Sequence, residues 1–244
     1  MIMRCDSHIH IVGPTDRYPQ VADRSYTAGI ATLATLERLG AARDIRRFVI
    51  VQPSFYGTDN TMLLEGLDAL AGRGRGVAVV DPKTTPGRAL VDYAGRGVRG
   101  LRINLYSPIG NRDPLEARFT ALEKLARPFN WHVEVIAPLA MVAENAALLA
   151  KSGVPVVIDH YGLHAGFTPE QAEARTLLQL LRLPHVWMKL SAPYRVRGDD
   201  LAVHADPAWL DALLKAAPDR CVWGSDWPHT PPHAAQGDGA KVLA

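Results

Sequence analysis

The sequence has few cysteines and no long apolar run. Cys5 and Cys221 are the two cysteines among 244 residues, too few for the disulfide framework of a small secreted domain. No run approaches the roughly 18 apolar residues that a membrane helix needs. The N-terminal stretch is polar by residue 4 and lacks the apolar core of a signal peptide. We therefore expect a protein of the reducing cytoplasm that has no membrane partner.

An excess of charge of one sign is also lacking. The chain has 27 Lys and Arg residues against 25 Asp and Glu residues, and the net charge is +2. The basic residues are scattered along the sequence, whereas nucleic-acid binding requires them to cluster on one face. The sequence therefore predicts no nucleic-acid partner.

The length and composition are those of an ordinary globular protein. Hydrophobic residues make up 48% of the chain and charged residues 21%, which allows a sizeable core without disulfides or metals. No linker, repeat or low-complexity tract divides the sequence. We expect a single domain over residues 1–244.

Short apolar runs alternate with longer amphipathic segments. The predicted strands are Cys5–His10, Phe48–Gln52, Gly76–Val79, Val98–Asn104, Trp131–Ile136, Val156–His160, Val186–Ser191 and Cys221–Ser225. The predicted helices are Thr61–Leu70, Leu115–Ala126, Met141–Ala150, Thr176–Leu183 and Trp209–Ala216.

Eight strands separated by helices predict an α/β protein of the (β/α)8 TIM-barrel type. A doubly wound open sheet is the alternative, because periodicity alone does not show closure. Few residues follow Asp226, so we expect the eighth helix to be short or missing. Residues 11–31 and 192–208 are predicted loops that follow strand ends, where a barrel carries its catalytic loops.

Two histidines stand at the end of the first predicted strand. His8 and His10 are two residues apart, a spacing that places both rings on one face of a strand. Two imidazoles together can bind a metal ion or polarise a carbonyl oxygen. Taken alone, an unremarkable surface pair explains this motif better.

Further polar residues end the sixth and eighth predicted strands. His160 alternates in phase with Val156 and Ile158, so we place it on the inner face; a hydrogen-bonded core histidine is the alternative. Asp226 follows the last strand, where a carboxylate can serve as a general base or metal ligand. The alternative for Asp226 is the cap of a turn.

Several segments, taken in order, resemble the amidohydrolase superfamily. These are CDSHIH at 5–10, VQP at 51–53, GVRGLRIN at 97–104, WHV at 131–133, DHYG at 159–162, KLS at 189–191 and WGSDWPH at 223–229. They most resemble its branch of 2-pyrone-4,6-dicarboxylate lactonase and sugar-acid lactonases. The resemblance implies a distorted (β/α)8 barrel that opens a lactone with water, often without a tightly held metal.

The resemblance also implies roles for individual residues. His8, His10 and His160 match residues that polarise the lactone carbonyl, and Asp226 matches the base that activates water. Arg102 and Arg195 match arginines that bind a substrate carboxylate, a contact for which the guanidinium group is suited. A solvated charge or an ion pair is the alternative for each arginine.

The sequence departs from the family pattern at three positions. Pro108 and Leu163 stand where further arginines hold a second carboxylate, and Ile136 replaces a tyrosine. A pyrone dicarboxylate therefore fits poorly. We expect a lactone of a sugar acid or of a muconate-type acid, and thus a role in the catabolism of carbohydrates or aromatic acids.

Other polar residues near the strand ends complete the predicted site. Gln52, Ser54 and Asn104 are candidates for hydrogen bonds to substrate, and loop capping is the alternative for the first two. Glu134 is either an additional metal ligand or the partner of a buried arginine.

Four functions remain open at this stage. The first is metal-independent lactone hydrolysis, which requires no cofactor and has a small-molecule lactone as its partner. The second is a metal-dependent amidohydrolase or decarboxylase. In this case a divalent ion such as zinc is held by His8, His10, His160 and Asp226. The third is a lactone isomerase, and the fourth is a non-catalytic binding barrel.

Overall fold

The computed structural model describes residues 4–107, 113–196 and 201–231, and it has one eight-stranded sheet. The strands are β1 (Arg4–Ile9), β2 (Ile45–Val51), β3 (Gly74–Ala78), β4 (Val98–Asn104), β5 (His132–Ile136), β6 (Val156–Ile158), β7 (Val186–Leu190) and β8 (Cys221–Trp223). The sheet order runs from β1 to β8 in sequence, and the strand pairs are parallel.

Helices connect each strand to the next. They are α1 (Leu33–Ala41), α2 (Thr61–Ala69), α3 (Gly87–Arg96), α4 (Leu115–Ala126), α5 (Leu139–Glu144), α6 (Ala146–Ala150), α7 (Ala172–Leu181) and α8 (Pro207–Ala216). A doubly wound sheet reverses its strand order, whereas this order is consecutive. The predicted (β/α)8 fold class is confirmed. The helix predicted to be short or missing is the one that would follow β8, not α8. Residues 232–244, where it would lie, are outside the described residues.

Four helices, α1, α3, α5 and α6, were not predicted as separate helices. The sequence patterns did not predict α1 and α3, and the segment predicted as one helix from Met141 to Ala150 is two helices. Asn145 lies between them, and its side-chain amide donates to the Met141 carbonyl at 2.9 Å. An asparagine side chain that bonds to nearby backbone competes with the helical ladder, which explains the break.

Two helices begin at side-chain caps. Thr32 precedes α1 and accepts a hydrogen bond from the Thr35 amide. Asp206 precedes α8 and accepts from the amides of Ala208 and Trp209. Such caps satisfy amides that have no partner within the helix.

The predicted strands that bear site residues end earlier than expected. β6 ends at Ile158, β7 at Leu190 and β8 at Trp223. His160 and Ser191 therefore lie in the loops that follow the strands, and the alternation of a strand no longer fixes their orientation.

The described residues divide into two units. The first comprises 4–102, 107 and 224–231, and the second comprises 103–106, 113–196 and 201–223. The single domain expected from the sequence stays a prediction.

In the first unit, α2 packs closely on the sheet. A Cβ atom on Gly66 would lie 2.9 Å from the Ile50 side chain, so glycine permits this approach. Residues 224–231 lie beside β1, where the His10 amide donates to the Trp227 carbonyl at 2.7 Å. This closing segment brings residues that follow β8 next to the histidines of β1.

In the second unit, helices cover the buried strands β6 and β7. Leu177 of α7 and Trp209 of α8 are buried. The Trp209 indole donates to the Tyr161 carbonyl at 2.9 Å, which fixes the loop after β6. No helix among the described residues has the length and apolar character to cross a membrane.

Candidate active site

The first unit brings together three predicted site residues. His8 lies on β1, His10 follows it, and Asp226 follows β8; all three are buried. The Asp226 Oδ1 atom lies 3.4 Å from His8 Nε2 and 3.2 Å from His10 Nε2. The two rings meet edge to face, with centroids 5.1 Å apart. A carboxylate between two imidazoles can exchange protons with them or share a bound ion.

The backbone around Asp226 holds the carboxylate in this position. The Asp226 amide donates to the His8 carbonyl at 2.9 Å. Its φ of 59° lies in the left-handed region, which aspartate tolerates better than most residues. A Cβ atom on Gly224 would lie 2.7 Å from the His8 Cβ and 2.8 Å from the His8 amide nitrogen. Glycine is therefore required at 224 for the loop to approach β1.

The tautomer of His10 follows from its hydrogen bond to the backbone. Its Nδ1 atom lies 2.7 Å from the Val51 carbonyl oxygen, which accepts hydrogen bonds but does not donate them. Nδ1 therefore carries a proton, and in the neutral ring Nε2 has a lone pair. This lone pair faces the Asp226 carboxylate at 3.2 Å, so the contact favours a proton or a metal ion between the two atoms.

Asp6 is a buried carboxylate that the sequence analysis missed. Its Oδ1 atom accepts from the His8 amide at 3.2 Å and from the Ser225 amide at 2.9 Å. Burial raises the pKa of Asp6 to about 6, and repulsion from Asp226 adds a smaller increase. Its spacing two residues before His8 was the available signal, because that spacing places both on one strand face.

His8, His10 and Asp226 fit a divalent metal ion. Each offers one ligand atom, and the three atoms lie within 4.8 Å of one another. Two imidazole nitrogens and one carboxylate oxygen are common ligands of catalytic zinc. The Nδ1 hydrogen bond of His10 is also the outer contact typical of a metal-binding histidine.

The second unit contains the predicted site residue His160. It is buried directly after Asp159, with a φ of 54° in the left-handed region. Its Nδ1 atom lies 2.9 Å from the Ser191 hydroxyl oxygen. The sequence argument placed His160 on the inner face by strand alternation. That argument does not apply, because β6 ends at Ile158 and His160 lies beyond it.

A buried ion cluster accompanies His160 in the second unit. The Lys189 Nζ atom lies 2.5 Å from Glu134 Oε2 and 3.8 Å from Asp159 Oδ1. His132 Nε2 lies 3.7 Å from Glu134 Oε2. Lys189 and Glu134 are almost fully buried, so each ion offsets the cost of burying the other. The sequence analysis assigned Lys189 no role.

Three predicted substrate-binding residues lie in the first unit. Gln52 is buried, and its amide donates to the Asp59 carbonyl at 2.7 Å. Ser54 begins a short 3-10 helix. Arg102 is buried and donates to the Gln52 carbonyl at 3.2 Å. Gln52 thus has the loop contact that was weighed against substrate binding, and its substrate role stays a prediction.

Two further predicted substrate-binding residues lie in the second unit. The Asn104 side-chain oxygen accepts from the Tyr106 amide at 3.0 Å. The Arg195 guanidinium lies over the Tyr194 ring, 5.4 Å from its centroid. Leu163 and Ile136 are both buried, whereas Pro108 lies outside the described residues.

The chain is similar to known hydrolases over most of its length. The family model described as Amidohydrolase matches residues 5–244. The chain is 31% identical over 232 residues to 4-sulfomuconolactone hydrolase of Rhizobium radiobacter, covering 92% of this chain and 75% of that protein. It is 29% identical over 226 residues to 4-sulfomuconolactone hydrolase of Hydrogenophaga intermedia, covering 92% and 74%.

A solved structure is also similar along nearly the whole chain. It is a probable 2-pyrone-4,6-dicarboxylic acid hydrolase of Acinetobacter baumannii with citric acid bound. The TM-score is 0.80 at 26% identity, and the match covers 98% of this chain and 89% of that one. Together with the match to the family model, these similarities show that the chain belongs to the amidohydrolase family.

Proposed function

We propose that this protein is a hydrolase that opens a lactone, the cyclic ester of a sugar acid or of a muconate-type acid. The observation that carries the proposal is the buried Asp226 carboxylate beside the Nε2 atoms of His8 and His10. Two relatives that are 4-sulfomuconolactone hydrolases support a muconate-type lactone. The activity is the hydrolysis of a carboxylic ester bond in a small-molecule substrate.

The proposed reaction is general-base hydrolysis. Asp226 takes a proton from water, and the resulting hydroxide attacks the lactone carbonyl carbon. His8 and His10 polarise the carbonyl oxygen and stabilise the charge that develops on it, which is a large contribution in such reactions. Because the neutral His10 ring has its proton on Nδ1, His10 can donate from Nε2 only when both of its ring nitrogens carry a proton. The ring C–O bond then breaks, and the leaving oxygen takes the proton held by Asp226. His160, which matches a third polarising residue in the family, stays a prediction in this role.

The charge of the binding residues favours a substrate with one carboxylate. Arg102 is the predicted carboxylate-binding residue of the first unit, and it is buried. Leu163, which replaces an arginine of the family pattern, is apolar and buried. A second buried carboxylate without a partner is strongly disfavoured, so a dicarboxylate fits the site poorly.

A metal-dependent hydrolase is the second candidate, because His8, His10 and Asp226 offer ligand atoms within 4.8 Å of one another. A bound divalent ion such as zinc would lower the pKa of water and polarise the carbonyl. In that case these three residues hold the ion, and Val51 orients His10 through its carbonyl. Lactone opening without a required metal remains the first proposal.

A panel of lactones tests both candidates. Sugar-acid lactones, muconate-type lactones and 2-pyrone-4,6-dicarboxylate are incubated with the protein, and acid release is followed with and without a chelator. We expect release from a monocarboxylate lactone that persists in the chelator. Loss of activity with chelator, restored by zinc, would support the metal-dependent candidate instead.

Two other results would contradict the proposal. An isomeric lactone formed without net acid release would identify an isomerase. Binding without turnover of any lactone would favour a non-catalytic protein. We also propose the reducing cytoplasm as the location, because neither cysteine forms a disulfide.

A further inference from the structure

The hydrogen-bond partner of His160 differs in kind from that of His10. The His10 Nδ1 atom faces a backbone carbonyl, which can only accept. The His160 Nδ1 atom lies 2.9 Å from the Ser191 hydroxyl, which can either donate or accept. The direction of this one hydrogen bond decides which nitrogen of a neutral His160 carries the proton.

The surroundings of Ser191 favour donation by the hydroxyl. Ser191 is 1% exposed, and within the described ranges His160 Nδ1 is the one hydrogen-bond partner that its hydroxyl has. If the hydroxyl accepted a proton from Nδ1, its own buried O–H would have no acceptor among these residues. A buried donor without an acceptor carries a free-energy cost. Donation to Nδ1 avoids this cost.

We propose that Ser191 donates to Nδ1 and thereby holds neutral His160 with its proton on Nε2. Ser191 is then a positioning residue that acts through His160. The inference deepens the proposed function and rests on it, because the Nε2 proton would donate a hydrogen bond to the carbonyl oxygen that becomes negatively charged during lactone opening. A preoriented N–H donor is the group that stabilises such an oxygen.

Lys189 of β7 supplies a second contact to this part of the chain. It lies two residues before Ser191, which follows the strand. Its ammonium lies 3.8 Å from Asp159, the residue directly before His160. His160 has a left-handed φ of 54°, a conformation that persists only where surrounding contacts hold it. Lys189 and Ser191 together provide such contacts.

The two histidines therefore have opposite tautomers in their neutral forms. His10 carries its proton on Nδ1 and presents a lone pair at Nε2, whereas His160 presents a proton at Nε2. A lone pair suits a proton acceptor or a metal ligand. A proton suits stabilisation of an oxyanion, so this form of His160 is suited to donate a hydrogen bond from Nε2 and not to bind a metal ion through that atom.

Nitrogen NMR of histidine-labelled protein tests the tautomer directly and does not require activity. The chain has nine histidines, and the His160 signals are assigned by their loss in His160→Gln. We expect His160 to show a protonated Nε2 and an unprotonated Nδ1 near neutral pH. A protonated Nδ1 with an unprotonated Nε2 would overturn the inference, whether or not a lactone is turned over.

Substitution of Ser191 tests whether the hydroxyl sets the tautomer. Ser191→Ala is expected to give a mixture of tautomers, and Ser191→Thr, which keeps a hydroxyl, retains the Nε2-protonated form. On a lactone that the wild type hydrolyses, Ser191→Ala should lower kcat about tenfold with little change in KM, because the donor acts mainly on the developing oxyanion. Ser152→Ala, which removes a hydroxyl that bonds only to nearby backbone, is the matched control.

The outcomes separate the inference from the proposed function. An Nε2-protonated His160 that is unchanged in Ser191→Ala would overturn the role of Ser191. If Ser191→Ala fails to fold, the wild-type tautomer and the Ser191→Thr spectrum still decide the inference. An Nε2-protonated His160 that loses this form in Ser191→Ala, in a protein that hydrolyses no lactone, would support the positioning by Ser191 and contradict the proposed function.

Discussion

The buried carboxylates of the two units contact different kinds of groups. In the first unit, Asp6 accepts hydrogen bonds from backbone amides, and Asp226 faces two imidazoles. In the second unit, Glu134 and Asp159 both lie near the ammonium of Lys189. The first arrangement places one carboxylate against backbone amides and one against imidazoles, whereas the second places two carboxylates near one cation.

The two arrangements suit different roles: the first suits a part in the reaction, and the second suits stabilisation of the fold. The Asp226 carboxylate faces two imidazole nitrogens, a contact that can hold a proton or a metal ion between the two groups. An ammonium buried between carboxylates instead fixes its neighbours and is costly to disturb. We therefore infer that Asp226 supplies the base and that the ion cluster stabilises the fold of the second unit.

Removal of the Asp226 carboxylate gives the largest expected effect. Asp226→Asn keeps the shape of the side chain but removes its ability to accept a proton from water. We expect kcat to fall roughly 10²- to 10⁴-fold, the usual contribution of general acid–base catalysis. The measurement is the initial rate of lactone opening by the folded variant.

An exposed aspartate provides the matched control for this change. Asp211 is paired with Lys215 on the surface of α8, and Asp211→Asn should leave the rate unchanged. Near-normal turnover by folded Asp226→Asn would show that the proton acceptor is another residue. The contrast between a catalytic carboxylate in the first unit and stabilising carboxylates in the second would then be wrong.

Removal of the buried ammonium should affect stability. Lys189→Met leaves the buried Glu134 and Asp159 without this cation, so we expect the free energy of unfolding to fall by about 3–5 kcal/mol. The measurement is chemical denaturation followed by circular dichroism. The double variant Lys189→Met, Glu134→Gln removes both charges of the close pair and should recover part of the loss. A single variant as stable as the wild type would show that the ion cluster does not support the fold.

Arg102→Met tests the predicted carboxylate contact of the first unit. We expect weaker binding of an acid substrate by about 1.5–3 kcal/mol, the usual loss for a hydrogen bond to a charged group. A neutral ester analogue should be affected less. The measurement compares KM and kcat for the two substrates. Equal losses for both would make Arg102 a structural residue, in keeping with its hydrogen bond to the Gln52 carbonyl.

The succession of strands and helices and the first histidine pair follow from the sequence because their signals are local. Apolar runs separated by amphipathic segments predict the (β/α)8 class, and the spacing of His8 and His10 predicts a shared face. The contacts of Asp226 with both histidines join residues more than 200 positions apart. The periodicity of a single sequence does not show which distant residues contact one another. The expectation that these three residues share a site came from the family resemblance.

The remaining parts of the site depend on features that periodicity does not encode. His160 is buried although β6 ends two residues earlier, because a left-handed turn redirects the chain. Lys189 is polar within an apolar strand, and only its distance to Glu134 shows that it is an ion partner. The role of Gly224 emerges from the close approach of its loop to His8, which its identity as a glycine only permits.

The two cysteines extend the comparison between the units to reactivity, with the smallest expected effect. Cys5 belongs to the first unit and is exposed, whereas Cys221 belongs to the second and is half-buried; neither forms a disulfide. Burial raises the pKa of the Cys221 thiol, and its Sγ atom lies 3.7 Å from the Leu213 carbonyl. Because the thiolate is the reactive form, a raised pKa leaves less of it at a given pH.

We expect the folded protein to show one fast and one slow thiol towards an aromatic disulfide reagent at about pH 8. Cys5→Ser should remove the fast phase, and Cys221→Ser should remove the slow one. Raising the pH should accelerate the slow phase, because deprotonation of Cys221 then becomes more complete. Denatured protein that has not been reduced should contain two thiols. Finding none would contradict the proposed reducing location, and equal rates in the folded state would show that the burial of Cys221 does not limit its reactivity.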